Sequence, residues 1–143
     1  MKLIVDSGST KTDWIAIDNS GNKLFETQTL GLNPQVLSEH ILEERVINNY
    51  EIYQTRKKVT ELFFYGAGCG TKPPEDLIKK VLKPIFQNAN IQIKEDTYAA
   101  IYSCCNPGEK AIVSILGTGS NCSYYDGEMV HQKITSLGYI LMD

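Results

Sequence analysis

Leu3-Ile4-Val5-Asp6-Ser7-Gly8-Ser9-Thr10-Lys11-Thr12-Asp13-Trp14-Ile15-Ala16-Ile17 is the stretch whose reading decides the fold. An apolar run, a turn of small hydroxylated residues and a second apolar run read as two strands about a tight turn. A third strand, Lys23 to Thr29, follows the turn Asn19-Ser20-Gly21-Asn22, so the chain opens antiparallel. The same pattern returns at Ile112-Val113-Ser114-Ile115-Leu116-Gly117-Thr118-Gly119-Ser120-Asn121-Cys122-Ser123-Tyr124-Tyr125. It reads as a second copy that is only begun.

Between the copies the apolar spacing changes. Val36, Leu37, Ile41, Leu42, Val46 and Ile47 fall at helical intervals, which predicts a helix from Gln35 to about Tyr50 entered through Asn33-Pro34. Glu61 to Gly66 is short, aromatic and glycine-terminated, the pattern of a buried strand leading into a loop through Gly68, Cys69 and Gly70. Pro73-Pro74-Glu75-Asp76 suits the first turn of a helix running to about Asn88, with a kink or break near Pro84. Ile91-Gln92-Ile93 is a further strand, Thr97 to Cys105 a helix, and Asn106-Pro107-Gly108 stops it. Strands at 111–116, 120–125 and 129–134 follow, with Asp126-Gly127 as a hairpin turn. The expected organisation is an α/β lobe over 1–108 with a mixed sheet whose first three strands are antiparallel, and the opening strands of a second, truncated lobe over 109–143.

Composition narrows the function. The 143 residues are 42% hydrophobic and 22% charged, the make-up of an ordinary globular chain. Fourteen Lys and Arg against 17 Asp and Glu give a net charge of −3, which disfavours a general electrostatic grip on nucleic acid or anionic lipid. Cys69, Cys104, Cys105 and Cys122 form no C-x-x-C pair, and His40 and His131 stand alone, so neither a zinc site nor a disulfide framework is indicated. Reduced thiols suit the cytoplasm, and Cys104-Cys105 read as small buried hydrophobes of a helix. Met1-Lys2-Leu3-Ile4-Val5-Asp6 meets a carboxylate after three apolar residues, unlike a signal peptide, and no stretch reaches membrane-spanning length. The end at Asp143, with no helices to cover the new strands, points to a fragment or to a block that packs elsewhere.

The chemistry concentrates in the turns. Gly8-Ser9-Thr10-Lys11-Thr12 lies between strands and lacks Walker spacing, yet a small-residue turn exposes backbone N–H groups, and the Ser9, Thr10 and Thr12 hydroxyls and the Lys11 ammonium add donors for an anion. An ordinary polar hairpin accounts for one such loop. Two are harder to dismiss: Leu116 to Asn121 offers a second concavity, and a pair of loops can clasp a triphosphate. Asp6, ending its strand, can hold Mg²⁺ through water. Asp96, at a strand end, is either the base that takes a proton from an attacking hydroxyl or the cap of the following helix. Asn33 needs no ligand as a turn residue.

Taken together these residues resemble the actin-like ATPase superfamily of sugar kinases, actin and heat-shock chaperones, and within it the BadF/BadG/BcrA/BcrD and N-acetylglucosamine kinase family. Val5 to Trp14 is similar to its first phosphate loop, Ile115 to Cys122 to its second, Glu95 to Ala100 to the segment with its catalytic aspartate, and Gly31-Leu32-Asn33-Pro34 to its sugar-binding asparagine loop. The resemblance implies ribonuclease H-like lobes and a cytoplasmic kinase that uses ATP and Mg²⁺ on the 6-hydroxyl of a hexosamine, without nucleic-acid or membrane partners and compatible with a homodimer. It assigns Asp96 as the catalytic base, Thr10 and Thr118 to the ATP phosphates and Asp6 to the metal; Gly8, Ser9, Lys11, Thr12, Gly117 and Gly119 complete the two phosphate-binding loops read from the residues themselves. It assigns Asn33, Ser120, Asn121 and Asp143 to the sugar. Met142 stands where the family usually has glycine, and the adenosine-binding half is missing, so the chain alone is expected to be inactive. Two other readings remain: a 2-hydroxyacyl-CoA dehydratase-type activator, whose bridging cysteines Cys104-Cys105 does not resemble, and a non-catalytic sugar or nucleotide-binding module.

Overall fold

The computed structural model describes residues 1–116 and 120–132, which divide between two compact units, 1–96 and 97–143. The first holds strands β1 (Lys2–Ser7), β2 (Lys11–Ile17), β3 (Lys23–Leu30), β4 (Glu61–Gly66) and β5 (Asn90–Glu95). Helices α1 (Glu39–Ile47) and α2 (Tyr50–Thr55) join β3 to β4, and α3 (Lys72–Ile85) joins β4 to β5.

The five strands form one mixed sheet in the order β3-β2-β1-β4-β5, antiparallel from β1 through β3 and parallel from β1 through β5. Alternation along the strands turns Leu3, Val5, Trp14, Ala16, Leu62, Phe64, Ile91 and Ile93 to one face, where they meet the helices in a single core. Helix α3 supplies Ile78, Val81, Leu82 and Ile85 at intervals of three and four residues. The fully buried Trp14 stacks on Phe86 with ring centroids 6.3 Å apart, and its indole N–H donates to Thr29 Oγ1 at 2.9 Å.

The strands fall where the sequence places them, whereas the helix expected over Gln35 to Tyr50 is shorter and is followed by another. Residues 34–37 form turns on the Asn33 carbonyl, Ser38 is extended (φ −73°, ψ 157°), and α1 starts only at Glu39. The segment after Ile47 re-forms as α2 because Asn49 caps it, Oδ1 accepting from the Ile52 N–H at 3.1 Å, and Ile52 enters the core. Helix α3 ends at Ile85, one residue past Pro84, so the break expected near that proline is where the helix stops, short of the expected end near Asn88.

The second unit comprises α4 (Thr97–Cys104), β6 (Ala111–Leu116), β7 (Ser120–Tyr125) and β8 (Val130–His131), the strands forming an antiparallel sheet in chain order. Three residues separate β1 from β2 and three separate β6 from β7, so the repeat read from the sequence is present in length as well as pattern. Helix α4 covers one face of this sheet, where Ile101, Val113 and Tyr125 form a small core with Ala100, Cys105, Ala111 and Val130. Ile112, Leu116 and Tyr124 on the other face are exposed. Cys105 is half-buried against that core and Cys104 faces solvent, so neither thiol is the fully buried hydrophobe expected from the helix pattern. No helix among the described residues is long and apolar enough to cross a membrane.

Candidate functional site

Pairing fixes what stands at the sheet's upper edge. Ser7 pairs with Gly66 and Gly66 with Glu95 in parallel register, so the loop after β1, the loop after β4 and Asp96 after β5 leave the sheet side by side. Two strand spacings put the ends of β1 and β5 roughly 10 Å apart. Because β3 runs parallel to β1 through the intervening β2, residues 31–34 join the same edge, Leu30 lying opposite Lys11. The C-terminal ends of parallel strands are where open α/β sheets hold ligands.

The loops are locked to one another. Ser7 Oγ, fully buried, lies 2.9 Å from Thr12 Oγ1 and accepts the Leu32 N–H at 3.1 Å, while Thr12 donates to the Leu30 carbonyl at 3.2 Å. Gly31 N–H donates to the Thr10 carbonyl at 2.9 Å, and Arg45 donates to the Gly31 carbonyl. Asn33 Nδ2 donates to Ser9 Oγ at 2.9 Å, and its Oδ1 accepts the Gln35 N–H at 2.9 Å. Gln35 Nε2 in turn donates to the Gly68 carbonyl at 3.3 Å, and a Cβ on Gly68 would fall 2.5 Å from Asn33 Oδ1. The structure thus brings together Gly8 to Lys11, Asn33 and, along the same edge, Asp96.

Thr12 is turned inward, with its hydroxyl committed to the buried network, and holds the loop rather than facing a ligand. Gly8 N–H closes the turn on the Lys11 carbonyl at 2.9 Å, leaving the loop's outward donors to Ser9, Thr10 and Lys11. Lys11 reaches back to Asp13 at 2.9 Å, and Asp13 also accepts from Gln28 Nε2 at 2.5 Å.

Asp6 faces Asp13 across the β1–β2 pair. Burial first, then the Asp13 charge, pushes the Asp6 carboxyl above its ordinary value, partly countered by Lys11. A divalent cation relieves that repulsion. Two carboxylates facing each other across a strand pair suit an ion such as Mg²⁺, which takes one or two protein carboxylates and keeps several waters; among the described residues no group of three or more His, Cys, Asp or Glu side chains gathers.

Asp96 immediately precedes α4, its N–H donating to the Gly66 carbonyl at 3.3 Å. Beside it the Glu95 carboxylate packs on Gly70, and burial followed by the Asp96 charge raises its pKa. Cys69, buried within the loop between β4 and α3, has its thiol pushed up to about 12 by burial and by the Asp96, Glu75 and Glu95 charges, which leaves it unreactive at neutral pH. In the second unit Asn121 Oδ1 accepts from Ser123 Oγ at 2.6 Å, and Ser120 opens β7. Gly117, Thr118, Gly119 and Asp143 lie outside the described residues.

Sequence reasoning did not find Ser7, Arg45, Gln35 or Glu95. Ser7 and Arg45 act on backbone groups distant in sequence, which no local motif records. Glu95 had a signal, since a carboxylate directly before a candidate catalytic aspartate invites notice.

This sheet order, followed along the chain by a second, smaller antiparallel sheet, is the fold of the sugar kinases among the actin-like ATPases. The chain superposes on a crystal structure named as a putative N-acetylglucosamine kinase from Porphyromonas gingivalis with a TM-score of 0.88 and 33% identity, over 99% of this chain and 50% of that one. It shares the fold of an inorganic polyphosphate/ATP-glucomannokinase from Arthrobacter sp. strain KM, with a TM-score of 0.51 and 14% identity over 94% of this chain and 62% of that one. The chain therefore spans about half to three fifths of the length of these structures. No protein family's sequence profile matches it, nor does any curated protein.

Proposed function

We propose that the chain is the N-terminal part of an ATP-dependent sugar kinase of the BadF/BadG/BcrA/BcrD type, which phosphorylates N-acetylglucosamine or a close hexosamine on its 6-hydroxyl. The observation that carries the reading is the gathering of the Ser9 loop, Asn33 and Asp96 on one sheet edge, in a chain 33% identical over 99% of its length to a protein named for that activity.

Asp96 takes the proton of the sugar hydroxyl as its oxygen attacks the γ-phosphorus, and the bond to the bridging oxygen of ADP breaks. Ser9, Thr10 and Lys11, with Gly117, Thr118 and Gly119, hold the phosphates; Gly8 shapes the turn and Thr12 anchors it. Asn33, Ser120, Asn121 and Asp143 hold the sugar. Asp6 is the residue that would hold Mg²⁺, and that ion, when bound, would offset phosphate charge. The lobe boundary after residue 108, a cytoplasmic location and a homodimer belong to the same reading, as does the absence of nucleic-acid and membrane partners. The 143-residue chain alone lacks the surface that would enclose the γ-phosphate and turns over no sugar at ordinary kinase rates.

The test is ADP release by the encoded protein with N-acetylglucosamine, glucosamine and glucose, compared with Asp96→Asn. Removing a positioned base costs about 10²- to 10⁴-fold in turnover, while sugar binding persists. Sugar-independent ADP release, or an Asp96→Asn protein as fast as the parent, overturns the proposal.

A further inference from the structure

The Ser9–Asn33 hydrogen bond joins a residue of the phosphate loop to the residue proposed to hold the sugar. Its polarity is fixed by chemistry. A backbone N–H can only donate, so the Gln35 N–H at 2.9 Å identifies the Asn33 oxygen, and the group 2.9 Å from Ser9 Oγ is therefore the amide nitrogen. Ser9 is the acceptor in this bond, which leaves its own hydroxyl proton to donate elsewhere. Its neighbours cannot slide apart. Gly31 N–H is bonded to the Thr10 carbonyl, and Gly31 packs so closely on the Gly8 and Ser9 backbone that a Cβ would fall 2.3 Å from the Ser9 carbonyl oxygen. Asn33 Nδ2 keeps its second N–H to offer a ligand.

We propose that Ser9 is a positioning residue that couples the two substrates: its hydroxyl holds Asn33 in the sugar-binding pose and donates its proton to a nucleotide phosphate oxygen. A hydroxyl that donates to an anion becomes a better acceptor, so phosphate binding tightens the Ser9 hold on Asn33. By reciprocity, sugar on Asn33 improves phosphate binding by the same factor. This inference rests on the kinase reading and adds to it a synergy between nucleotide and sugar wired through one hydrogen bond.

The test uses the encoded protein and measures N-acetylglucosamine binding by calorimetry without nucleotide and with a saturating non-hydrolysable ATP analogue and Mg²⁺. The wild type is expected to bind sugar about fivefold more tightly with the analogue, the lower end of ordinary coupling between sites. Ser9→Ala brings that ratio to about one, and Ser9→Thr, which keeps the hydroxyl, restores it. A serine that only touched phosphate would raise the KM for ATP in Ser9→Ala and leave the ratio intact, and that result overturns the proposal. So does a wild-type ratio of one, or a threonine variant that behaves as the alanine one. The ¹H–¹⁵N signals of the Asn33 side-chain amide give a second readout in the wild type alone: they shift when the analogue binds, and their failure to move refutes the coupling. A protein that phosphorylates hexosamine without coupling sinks this inference only, whereas one that phosphorylates no hexosamine sinks the kinase reading and this inference with it.

Discussion

Replacing Gly31 with alanine tests whether the phosphate loop and the asparagine loop behave as one body. The added Cβ would lie 2.3 Å from the Ser9 carbonyl oxygen, 2.4 Å from its carbonyl carbon and 2.5 Å from the Gly8 carbonyl oxygen. Ordinary contact begins near 3.4 Å, so the two segments must part by about 1.1 Å. Every atom in the way is backbone, and no side-chain rotation relieves the overlap. The movement strains the Gly31–Thr10 bond of 2.9 Å and the Asn33–Ser9 bond of 2.9 Å together. Overpacking of this kind costs about 1–3 kcal/mol, which for a unit of 96 residues lowers the thermal midpoint by at least about 4 °C. A misplacement of about 1 Å at reacting groups costs on the order of 10²-fold in rate, so the variant is expected to lose activity well beyond its loss of stability. Gly21→Ala separates sterics from backbone conformation. Gly21 has φ +87° and nothing within 4 Å of its would-be Cβ, in the β2–β3 turn at the sheet end away from the site. It should cost about 1–2 kcal/mol for the left-handed conformation and leave kinetics unchanged. The assays are thermal denaturation by circular dichroism and sugar-dependent ADP release. A Gly31→Ala protein with parental midpoint and turnover refutes the argument, and one that loses no more activity than Gly21→Ala refutes the claim that the two loops move as one.

Three further outcomes are expected. Asn49→Ala removes the α2 cap and the bonds from Asn49 Nδ2 to Thr27 Oγ1 and the Gln28 carbonyl, and should cost about 1–2 kcal/mol in urea denaturation with KM values unchanged. Glu95 has a raised pKa from burial first and the Asp96 charge second, so its favourable contribution is fully present below about pH 4.5 and is lost as pH rises through the higher folded value. Glu95→Gln should accordingly match the parent in stability at pH 4 and exceed it at pH 7, and a constant gap across that range contradicts the assignment. In native protein at pH 7.5, iodoacetamide should label the exposed Cys104 and Cys122 and spare Cys69, whose thiol is buried and held near 12, until denaturant is added; early labelling of Cys69 by mass spectrometry would mean the loop that holds it opens.

How far the sequence could carry the structure depended on the distance over which each interaction acts. Strand alternation and the small-residue run at Gly8–Thr10 are local, and they placed β1 to β7 correctly, because burial on one sheet face constrains every second residue. The helix after β3 was misjudged because Val36 and Leu37 continue the apolar spacing, while the Asn33 turn, in which Leu37 N–H bonds the Asn33 carbonyl, and the extended Ser38 interrupt it. The site shows the same division more sharply. Asp6, Ser9 and Asp96 stood out in the sequence as candidates because of their chemistry at strand ends, Asp96 with a helix cap as its alternative, whereas Asn33 read as a turn residue and was singled out by the resemblance alone. Their relation was not legible, because Asn33 is 24 residues from Ser9 and meets it only once β2 and β3 have paired and Gly31 has closed onto the loop. Thr12 marks the cost of reading residues singly: in the motif it looks like one more phosphate donor, yet alternation from Trp14 and Ala16 already requires it to point into the core. A hydroxyl that must face inward beside a small buried partner such as Ser7 is better read as the lock of the loop than as its bait, and the same alternation test sorts donors from anchors in any strand-flanked phosphate turn.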